Sequence, residues 1–228
     1  MPLIQSSDLF LGCLAAFFCG SIPFGLLLVK LAGKGDVRAH GSGNIGATNV
    51  SRVGGKGLGI LTLLLDVTKG FLPVFLARRA GLPLDAQAAM ALCATAGHIF
   101  TPWLNFKGGK GVATALGAAL AFRVMAVLPS LGAFILLLAV FRYVSLGSIV
   151  GALLLPVSMG WVHETVHSAE WFGVRIQASL REQDPWQATF FWVLIALVVV
   201  AKHHENITRL FKGTESPLWG AKKGEPRG

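Results

Sequence analysis

The sequence predicts an all-α integral membrane protein, a single domain over residues 1–228 built as a bundle of seven transmembrane helices. Of its 228 residues, 54% are hydrophobic and only 14% are charged, whereas water-soluble domains carry about 25% charged residues. The mean hydropathy is +0.64. Because so few polar side chains are available to cover the surface, the chain needs lipid around it, and the class of water-soluble proteins is excluded.

Helical spans of a bilayer need about 20 apolar residues, and seven stretches meet or approach that length. The fourth stretch is short, and Arg123 separates it from the fifth. We therefore predict a helical hairpin with a tight turn at Phe122–Arg123; one continuous helix, which would give six spans, is the alternative. The predicted spans are Leu9–Leu31, Gly57–Leu76, Ala86–Phe106, Val112–Phe122, Val124–Phe141, Leu146–Val162 and Trp186–Ala201.

The distribution of lysine and arginine predicts the orientation, because cytoplasmic loops carry an excess of both. With the N-terminus outside and the C-terminus in the cytoplasm, Lys69 lies inside a span and the outer segments hold only Arg78, Arg79, Arg123, Arg175 and Arg181. The cytoplasmic segments hold Lys30, Lys34, Arg38, Arg52, Lys56, Lys107, Lys110, Arg142, Lys202, Arg209, Lys212, Lys222, Lys223 and Arg227.

The net charge of +9 does not indicate a nucleic-acid-binding protein. The cations lie between apolar runs and in the C-terminal tail, without the interleaved aromatic platform that single-stranded nucleic acids need. This placement favours anionic headgroups and phosphorylated substrates. The three cysteines, Cys13, Cys19 and Cys93, all lie in apolar runs and are predicted to be small core residues, not a disulfide or metal site.

The segment Lys107–Gly111 predicts a phosphate-binding loop, because it places glycines and lysines between two apolar runs. Glycine lets a backbone approach an anion and turn its N–H groups toward it. The apolar run from Val112 predicts a helix whose N-terminus favours negative charge. A nucleotide P-loop is excluded, since Gly111 and not Ser or Thr follows Lys110. A basic loop that only touches lipid headgroups is the alternative.

Two further polar segments are predicted to lie on the same cytoplasmic side. The loop Gly41–Arg52 alternates glycine with short polar side chains and closes on Arg52, whose guanidinium can bind phosphate with two hydrogen bonds. The segment Lys202–Glu215 follows the last span; if that helix continues, His203 and Asn206 share one face. We predict that the three segments converge on a single anion-binding site.

Together, the three segments resemble the bacterial acyl-phosphate-dependent glycerol-3-phosphate acyltransferases, the PlsY family. The family pattern reads GSGNxGATNxxR, GHxxPxxxxFKGGKGVAT and HxxNIxRLxxGxE. This chain has GSGNIGATNVSR, GHIFTPWLNFKGGKGVAT and HHENITRLFKGTE in the same order, and the resemblance covers its full length. Ile45 stands where the family often has proline, and His204 where a basic residue such as arginine is common.

The resemblance implies an enzyme that transfers a fatty acyl group from acyl phosphate to the sn-1 hydroxyl of glycerol 3-phosphate. The products would be 1-acyl-glycerol 3-phosphate (lysophosphatidic acid) and phosphate, the first step of membrane phospholipid synthesis. No cofactor, metal, acyl-CoA or acyl carrier protein is implied. The implied partners are the two substrates, the lipid bilayer and a cytoplasmic enzyme that produces acyl phosphate. The implied location is the bacterial cytoplasmic (inner) membrane, with the active site on its cytoplasmic face.

The resemblance also implies roles for individual residues. Lys110, Ser42 and His203 would be catalytic, by positioning and charge neutralisation and not as covalent nucleophiles. The glycerol 3-phosphate site would comprise Ser42, Asn44, Arg52, Lys110, His203 and Asn206. The acyl phosphate site would comprise Lys107, Gly108, Gly109, Lys110 and Gly111.

The motifs contain no serine-histidine-acid or cysteine-histidine arrangement, which disfavours a covalent acyl-enzyme. Acyl phosphate is a mixed anhydride with a good leaving group, so positioning and charge neutralisation are expected to dominate catalysis. The proton of the attacking hydroxyl could pass to His203, to His98 or to a substrate phosphate oxygen. We favour the phosphate oxygen.

Asp66 and Lys69 lie three residues apart inside the second predicted span. Ionisable residues in a span are candidates for function, but opposite charges at this spacing also form a structural ion pair. We predict the structural pair, with Lys69 orienting the first loop, Gly33–Lys56, which contains the stretch Gly41–Arg52.

Two other function classes remain as alternatives. The stretch His163–His167 matches H-E-x-x-H, which on a helix presents two zinc-binding histidines and a glutamate base; Glu182 or Asp184 would supply the third ligand of a membrane zinc metalloprotease. This reading leaves the three cytoplasmic segments unexplained. A transporter of phosphorylated solutes would use the basic loops as gates, but no paired internal repeats or broken helices support it.

Overall fold

The computed structural model describes residues 6–168 and 185–219, with side chains placed for residues 7–161 and 186–219. Within these ranges every regular element is helical, which confirms the predicted all-α class. Two short 3-10 helices, Val37–Ala39 and Pro102–Leu104, lie in the loops. The α-helices are α1 Ser6–Ser21, α2 Phe24–Leu31, α3 Ala47–Gly54, α4 Lys56–Arg79, α5 Leu84–Ile99, α6 Val112–Phe141, α7 Val144–Ser168, α8 Pro185–Ala201 and α9 His204–Phe211.

The long helices expose apolar side chains to their surroundings, as a protein in lipid does. Leu64, Leu136 and Val157 are 58%, 63% and 66% exposed. In the described ranges, four helical segments are long and apolar enough to cross a bilayer, and α8 with α9 would form a fifth, bent by 56°. The four are Ser7–Leu31, Lys56–Arg79, Val112–Phe141 and Val144–Trp161. The fold is therefore that of a multi-pass membrane protein.

The first predicted span, Leu9–Leu31, is broken into α1 and α2 at Ile22–Pro23. The break follows from Pro23, because a proline ring disfavours helical geometry at the residue before it. The carbonyl of Ile22 is thereby released from the helical ladder and accepts a hydrogen bond from Lys69 Nζ at 2.7 Å. A lysine from the next long helix thus holds this break.

The third predicted span, Ala86–Phe106, is wrong at its C-terminal end. Helix α5 stops at Ile99, and the segment after it is a loop in which Asn105 and Phe106 have positive φ angles of 52° and 60°. Pro102, which cannot continue an α-helix ladder, starts a 3-10 turn there. The apolar residues of this loop made it look like part of the span.

The predicted hairpin in α6 is supported by a break at Arg123, whose φ of −160° and ψ of 96° are extended and not helical. An unbroken helix over Val112–Phe141 would be about 45 Å long. Residues at its two ends instead meet, because Lys110 contacts Asn206, and Glu215 contacts both Asn206 and Ser145. The chain therefore reverses its direction near Arg123.

Glycines and small residues allow the helices to pack closely. A Cβ at Gly70 would overlap the carbonyl oxygen of Thr114, and one at Gly117 would overlap that of Val67, so α4 and the first half of α6 touch at their backbones. The main core is centred on Trp192, which is fully buried with its ring 5.4 Å from that of Phe122. The three cysteines are partly buried free thiols.

Candidate active site

The predicted phosphate loop, Lys107–Gly111, joins α5 to α6, and α6 begins at Val112 as predicted. The N–H of Gly108 donates to the Ile99 carbonyl at 3.0 Å, and that of Gly109 donates to the His98 carbonyl at 3.1 Å. The expectation that these glycine N–H groups point at an anion is therefore wrong. The protein itself uses both groups to tie the loop to the last turn of α5.

The donors that remain for an anion lie one residue further on. Gly111 has a φ of 84° and leads directly into α6, a left-handed geometry that glycine adopts without steric cost. Within the part of the chain that the structure describes, no protein acceptor is recorded for the N–H groups of Lys110 and Gly111. Together with the first turn of α6, they offer free donors and a favourable dipole to an anion.

Lys110 is held beside this helix start by the third polar segment. Its Nζ donates a short hydrogen bond to Asn206 Oδ1. Asn206 Nδ2 donates to Glu215 Oε1 at 2.6 Å. The same carboxylate accepts hydrogen bonds from Ser145 Oγ at 2.6 Å and from Arg209 Nε at 2.7 Å. Glu215 thus holds the amide of Asn206 in the orientation that presents its oxygen to Lys110.

Burial and the neighbouring charges change the pKa of Lys110. Burial is the main cause that lowers its pKa to about 8; Arg209 and Arg52 also lower it by repulsion, whereas Glu215 and Glu205 oppose the shift. The effect of Arg52 places its guanidinium within electrostatic reach of Lys110. The pKa of Glu215 is lowered overall, because hydrogen bonds from three side chains outweigh its burial.

His203 joins the cluster at the bend between α8 and α9. The last span ends at Ala201 as predicted, and the helix does not run on unbroken, since α9 begins at His204. The cause is local. The side chain of His203 donates through Nδ1 to the carbonyl oxygen of Val199 at 2.7 Å, which is the acceptor that the backbone N–H of His203 would use in a continuous α-helix. The backbone N–H of His203 bonds instead to the carbonyl of Val200.

The side chain of His203 is buried and neutral. Burial lowers its pKa to about 4, with a smaller contribution from the positive charge of Lys110. Because Nδ1 carries the proton that reaches Val199, Nε2 is left as an acceptor. The structure therefore brings Lys110, His203 and Asn206 together as the sequence predicts, with Arg52 in electrostatic range.

The first loop is organised by Asn49, a residue to which the sequence analysis gave no role. Its buried side-chain amide donates to three carbonyl oxygens, those of Val37, His40 and Asn44, at 3.1, 3.1 and 2.8 Å. Its Oδ1 accepts the N–H of Ser42 at 2.9 Å. Asn49 therefore shapes the loop from inside and fixes where Ser42 lies.

Other residues predicted for the site are less closely connected. Ser42, Arg52 and Lys107 are exposed. Asn44 Oδ1 accepts the N–H of Gly46 at 2.9 Å, which supports the start of α3 in the manner of an Asx turn. In residues 6–168 and 185–219, no hydrogen bond or ion pair links Ser42, Asn44 or Lys107 to Lys110 or Asn206.

The predicted ion pair in α4 is present. Lys69 Nζ lies 2.7 Å from Asp66 Oδ1, and both side chains are almost fully buried. The prediction that Lys69 orients the first loop is not supported within the described residues. Lys69 donates instead to the carbonyl of Ile22 at the break between α1 and α2.

Glu215, Arg209 and Ser145 were not predicted from the sequence as residues of the site. Glu215 and Arg209 lie in the third motif, HHENITRLFKGTE. Their opposite charges were the feature of the sequence that could have indicated a contact between them. The H-E-x-x-H stretch lies on the C-terminal turns of α7, where the structure places the backbone but not the side chains; Glu182 and Asp184 lie outside the described residues.

Fold and site together define a class: multi-pass membrane proteins with a polar cluster that contains Lys110, Asn206, Arg209 and Glu215. A family model described as glycerol-3-phosphate acyltransferase matches residues 10–213. The chain belongs to this glycerol-3-phosphate acyltransferase family.

Similar proteins agree with this assignment. The glycerol-3-phosphate acyltransferase of Trichlorobacter lovleyi is 50% identical over 88% of this chain and 93% of its own length. That of Geobacter sulfurreducens is 45% identical over 88% and 93%. Crystal structures of PlsY (YgiH), an integral membrane glycerol 3-phosphate acyltransferase, match with TM-scores of 0.80 for a glycerol 3-phosphate form and 0.75 for a lysophosphatidic acid form. These structures are 32% and 31% identical and cover 93% and 92% of this chain and 96% and 95% of their own.

Proposed function

We propose that this acyltransferase takes its acyl group from an acyl phosphate and transfers it to the sn-1 hydroxyl of glycerol 3-phosphate. The observation that carries the proposal is the position of Lys110, held by Asn206 beside the free N–H groups at the start of α6. This arrangement suits a phosphate. The relatives named glycerol-3-phosphate acyltransferase and the glycerol 3-phosphate form of PlsY support the choice of acceptor.

Two phosphorylated substrates require two anion sites, and the chain offers cations for both. Arg52, Lys110, His203 and Asn206 would hold glycerol 3-phosphate, together with Ser42 and Asn44 from the first loop. Lys107 and the backbone from Lys110 onward would face acyl phosphate, whose tail would lie along apolar helices open to the bilayer. Gly108 and Gly109 would contribute shape, because their N–H groups are already bonded.

In the proposed reaction, the sn-1 hydroxyl oxygen attacks the carbonyl carbon of acyl phosphate and the bond from that carbon to the phosphate oxygen breaks. The products are lysophosphatidic acid and inorganic phosphate. Lys110 and the N-terminus of α6 stabilise negative charge as it develops on the leaving group. The hydroxyl proton passes to a substrate phosphate oxygen, because His203, with a pKa of about 4, is a weak base at neutral pH and His98 is buried.

We further propose that the bundle has seven spans, with its N-terminus outside and its site on the cytoplasmic face of the bacterial inner membrane. The excess of lysine and arginine in the segments of the site supports this orientation. There, a cytoplasmic enzyme that makes acyl phosphate would supply the donor.

The proposal is tested by phosphate release from palmitoyl phosphate with purified, detergent-solubilised protein, with and without glycerol 3-phosphate. We expect release that depends on glycerol 3-phosphate, persists with a metal chelator and is lost in Lys110→Ala. Loss of activity with the chelator would instead favour the zinc motif at His163–His167. Well-folded protein that releases no phosphate would contradict acyl transfer from acyl phosphate.

A further inference from the structure

His98 lies directly beneath the phosphate loop. It is the second-last residue of α5 and is 4% exposed. Its carbonyl accepts the N–H of Gly109, and a Cβ added to Gly109 would overlap its imidazole Nε2. The imidazole therefore packs directly against the backbone of Gly109.

On its other side, the imidazole faces the buried ion pair of α4. His98 Nδ1 lies 3.7 Å from Asp66 Oδ1, and within the described residues it has no hydrogen-bond partner. Asp66 is paired with Lys69 at 2.7 Å. Lys69 also donates to the Ile22 carbonyl at 2.7 Å and lies 5.6 Å from the ring centre of Phe24. An unbroken series of contacts thus runs from the break between α1 and α2 to the loop.

A buried ion pair is not explained by stability alone. Removing two charges from water costs about as much as their attraction returns, so apolar side chains of similar size stabilise a core at least as well. In a membrane span this cost makes such groups rare unless they serve a function. Among the described residues, no hydrogen bond or ion pair links Asp66 or Lys69 to Lys110, His203 or Asn206. Their role must therefore pass through a neighbour, and His98 is the neighbour that reaches the loop.

We propose that His98, oriented by the Asp66–Lys69 pair, is a positioning residue. Its imidazole fixes the position of the Gly109 backbone and thereby the positions of Lys110 and of the start of α6. The inference rests on the proposed role of the loop in binding phosphate. It assigns His98 no proton transfer and no substrate contact.

The test is a pair of size-compensating double variants. Gly109→Ala adds a methyl group that collides with the imidazole, and we expect its KM for glycerol 3-phosphate to rise about tenfold, the size of effect that coupled neighbours show. His98→Ala removes the imidazole, so Gly109→Ala/His98→Ala should recover most of this loss. Gly108→Ala is the matched control, because its Cβ would meet the carbonyl oxygens of His98 and Ile99, which His98→Ala leaves in place.

The inference is supported if His98→Ala restores the KM for glycerol 3-phosphate in Gly109→Ala but does not restore it in Gly108→Ala. A double variant with the summed defects of its two single variants would overturn it, as would equal recovery at both glycines. The melting temperatures of the same proteins give an independent reading of the collision. If native protein shows no glycerol 3-phosphate-dependent phosphate release, the proposed function fails, but the melting temperatures still decide whether His98 supports Gly109.

Single substitutions keep the inference testable if an alanine at position 109 prevents folding. His98→Ala should raise the KM for glycerol 3-phosphate about tenfold with little change in kcat, and His98→Asn, whose amide can face Asp66, should lie between it and the native protein. Asp66→Asn should also raise the KM for glycerol 3-phosphate. Variants that lower kcat at an unchanged KM would show that His98 acts in the chemical step, and an unchanged KM and kcat would show that it supports nothing; either result overturns the inference.

Discussion

At the scale of single residues, we predict that Lys110 makes glycerol 3-phosphate binding depend on pH. Its pKa is lowered to about 8, mainly by burial, so its positive charge is present below pH 8 and is lost as the pH rises through that value. The phosphate of the substrate is already a dianion there, since its second pKa is about 6. We expect kcat/KM to fall up to tenfold per pH unit above about pH 8, measured between pH 6.5 and 9.5.

Lys110→Arg provides the control for this pH dependence, because a guanidinium keeps its charge throughout the range. Its activity is expected to be lower, since Arg cannot reproduce the contact with Asn206. The decline above pH 8 should nevertheless disappear. A decline that survives in Lys110→Arg would assign the titration to another group.

His203 should contribute to binding and not to the pH profile. Burial lowers its pKa to about 4, so it is neutral throughout the working range and offers Nε2 as an acceptor. His203→Gln should raise the KM for glycerol 3-phosphate and leave the shape of the profile between pH 5.5 and 7.5 unchanged. An acid limb in the native enzyme that vanishes in His203→Gln would show that His203 is the base and would refute proton transfer to the substrate phosphate.

Glu215 accepts hydrogen bonds from Ser145, Asn206 and Arg209, and we predict that it controls the charge of Lys110. The carboxylate of Glu215 pairs with Arg209 and raises the pKa of Lys110. Glu215→Gln removes this negative charge, so the pKa of Lys110 should fall and the decline in kcat/KM should move below pH 8. Hydrogen bonds to charged groups contribute about 1.5 to 3 kcal/mol each, so the melting temperature should also fall. Glu205→Gln is the matched control: Glu205 lies 3.7 Å from Arg209 and its side chain is 70% exposed, so both shifts should be smaller.

The sequence predicted some of the residues that meet, but not how they are connected. Lys110, His203 and Asn206 were found because polar side chains between apolar runs are conspicuous. The roles of Asn49 and Glu215 depend on partners 5 to 12 and 6 to 70 residues away, which no local pattern shows. The direction of the Gly108 and Gly109 N–H groups depends on where α5 ends, so it too required the structure.

At the scale of elements, the crossing of α4 and α6 depends on glycine. Gly117→Ala would push a methyl group into the Val67 carbonyl, and overpacking of this kind costs about 1 to 3 kcal/mol. We expect a lower melting temperature in detergent and reduced activity, since the first turn of α6 carries part of the anion site. Gly132→Ala, in the second half of α6, has nothing within 4 Å of the added carbon and should leave both unchanged or slightly improved.

Apolar runs predicted the helices well where the surrounding residues are polar, and poorly where they are not. The span Trp186–Ala201 matches α8 except for one residue at its start. The span Ala86–Phe106 was drawn seven residues too long, because Phe100, Trp103 and Phe106 are apolar although they lie in a loop. Of these, Trp103 donates its indole N–H to Ser21 Oγ at 2.8 Å, a tertiary contact that hydropathy cannot predict.

At the scale of the whole molecule, the hydrogen-bond network around Glu215 brings residues at both ends of α6 together, so we expect both ends to lie on one side of the membrane. Lys110 and Ser145 belong to that network, whereas the turn of the hairpin at Arg123 follows Ala121, whose carbonyl accepts a hydrogen bond from Arg78 at the C-terminal end of α4. In a chain with its three native cysteines replaced by alanine, we predict that Lys107→Cys and Arg142→Cys react with a membrane-impermeant maleimide only from the cytoplasmic side. Arg123→Cys should react only from outside.

The measurement compares labelling in intact spheroplasts with labelling in inverted membrane vesicles. Lys34→Cys, in the first loop, serves as the internal reference, since its segment holds part of the anion site and should follow Lys107→Cys. A six-span arrangement, with one continuous helix over Val112–Phe141, would place Lys107 and Arg142 on opposite sides of the membrane. Labelling of the two cysteines from opposite sides would therefore contradict the hairpin. Labelling of Lys34, Lys107 and Arg142 together from outside would keep the hairpin but reverse the orientation, because the cationic segments would then face away from the cytoplasm against the charge rule.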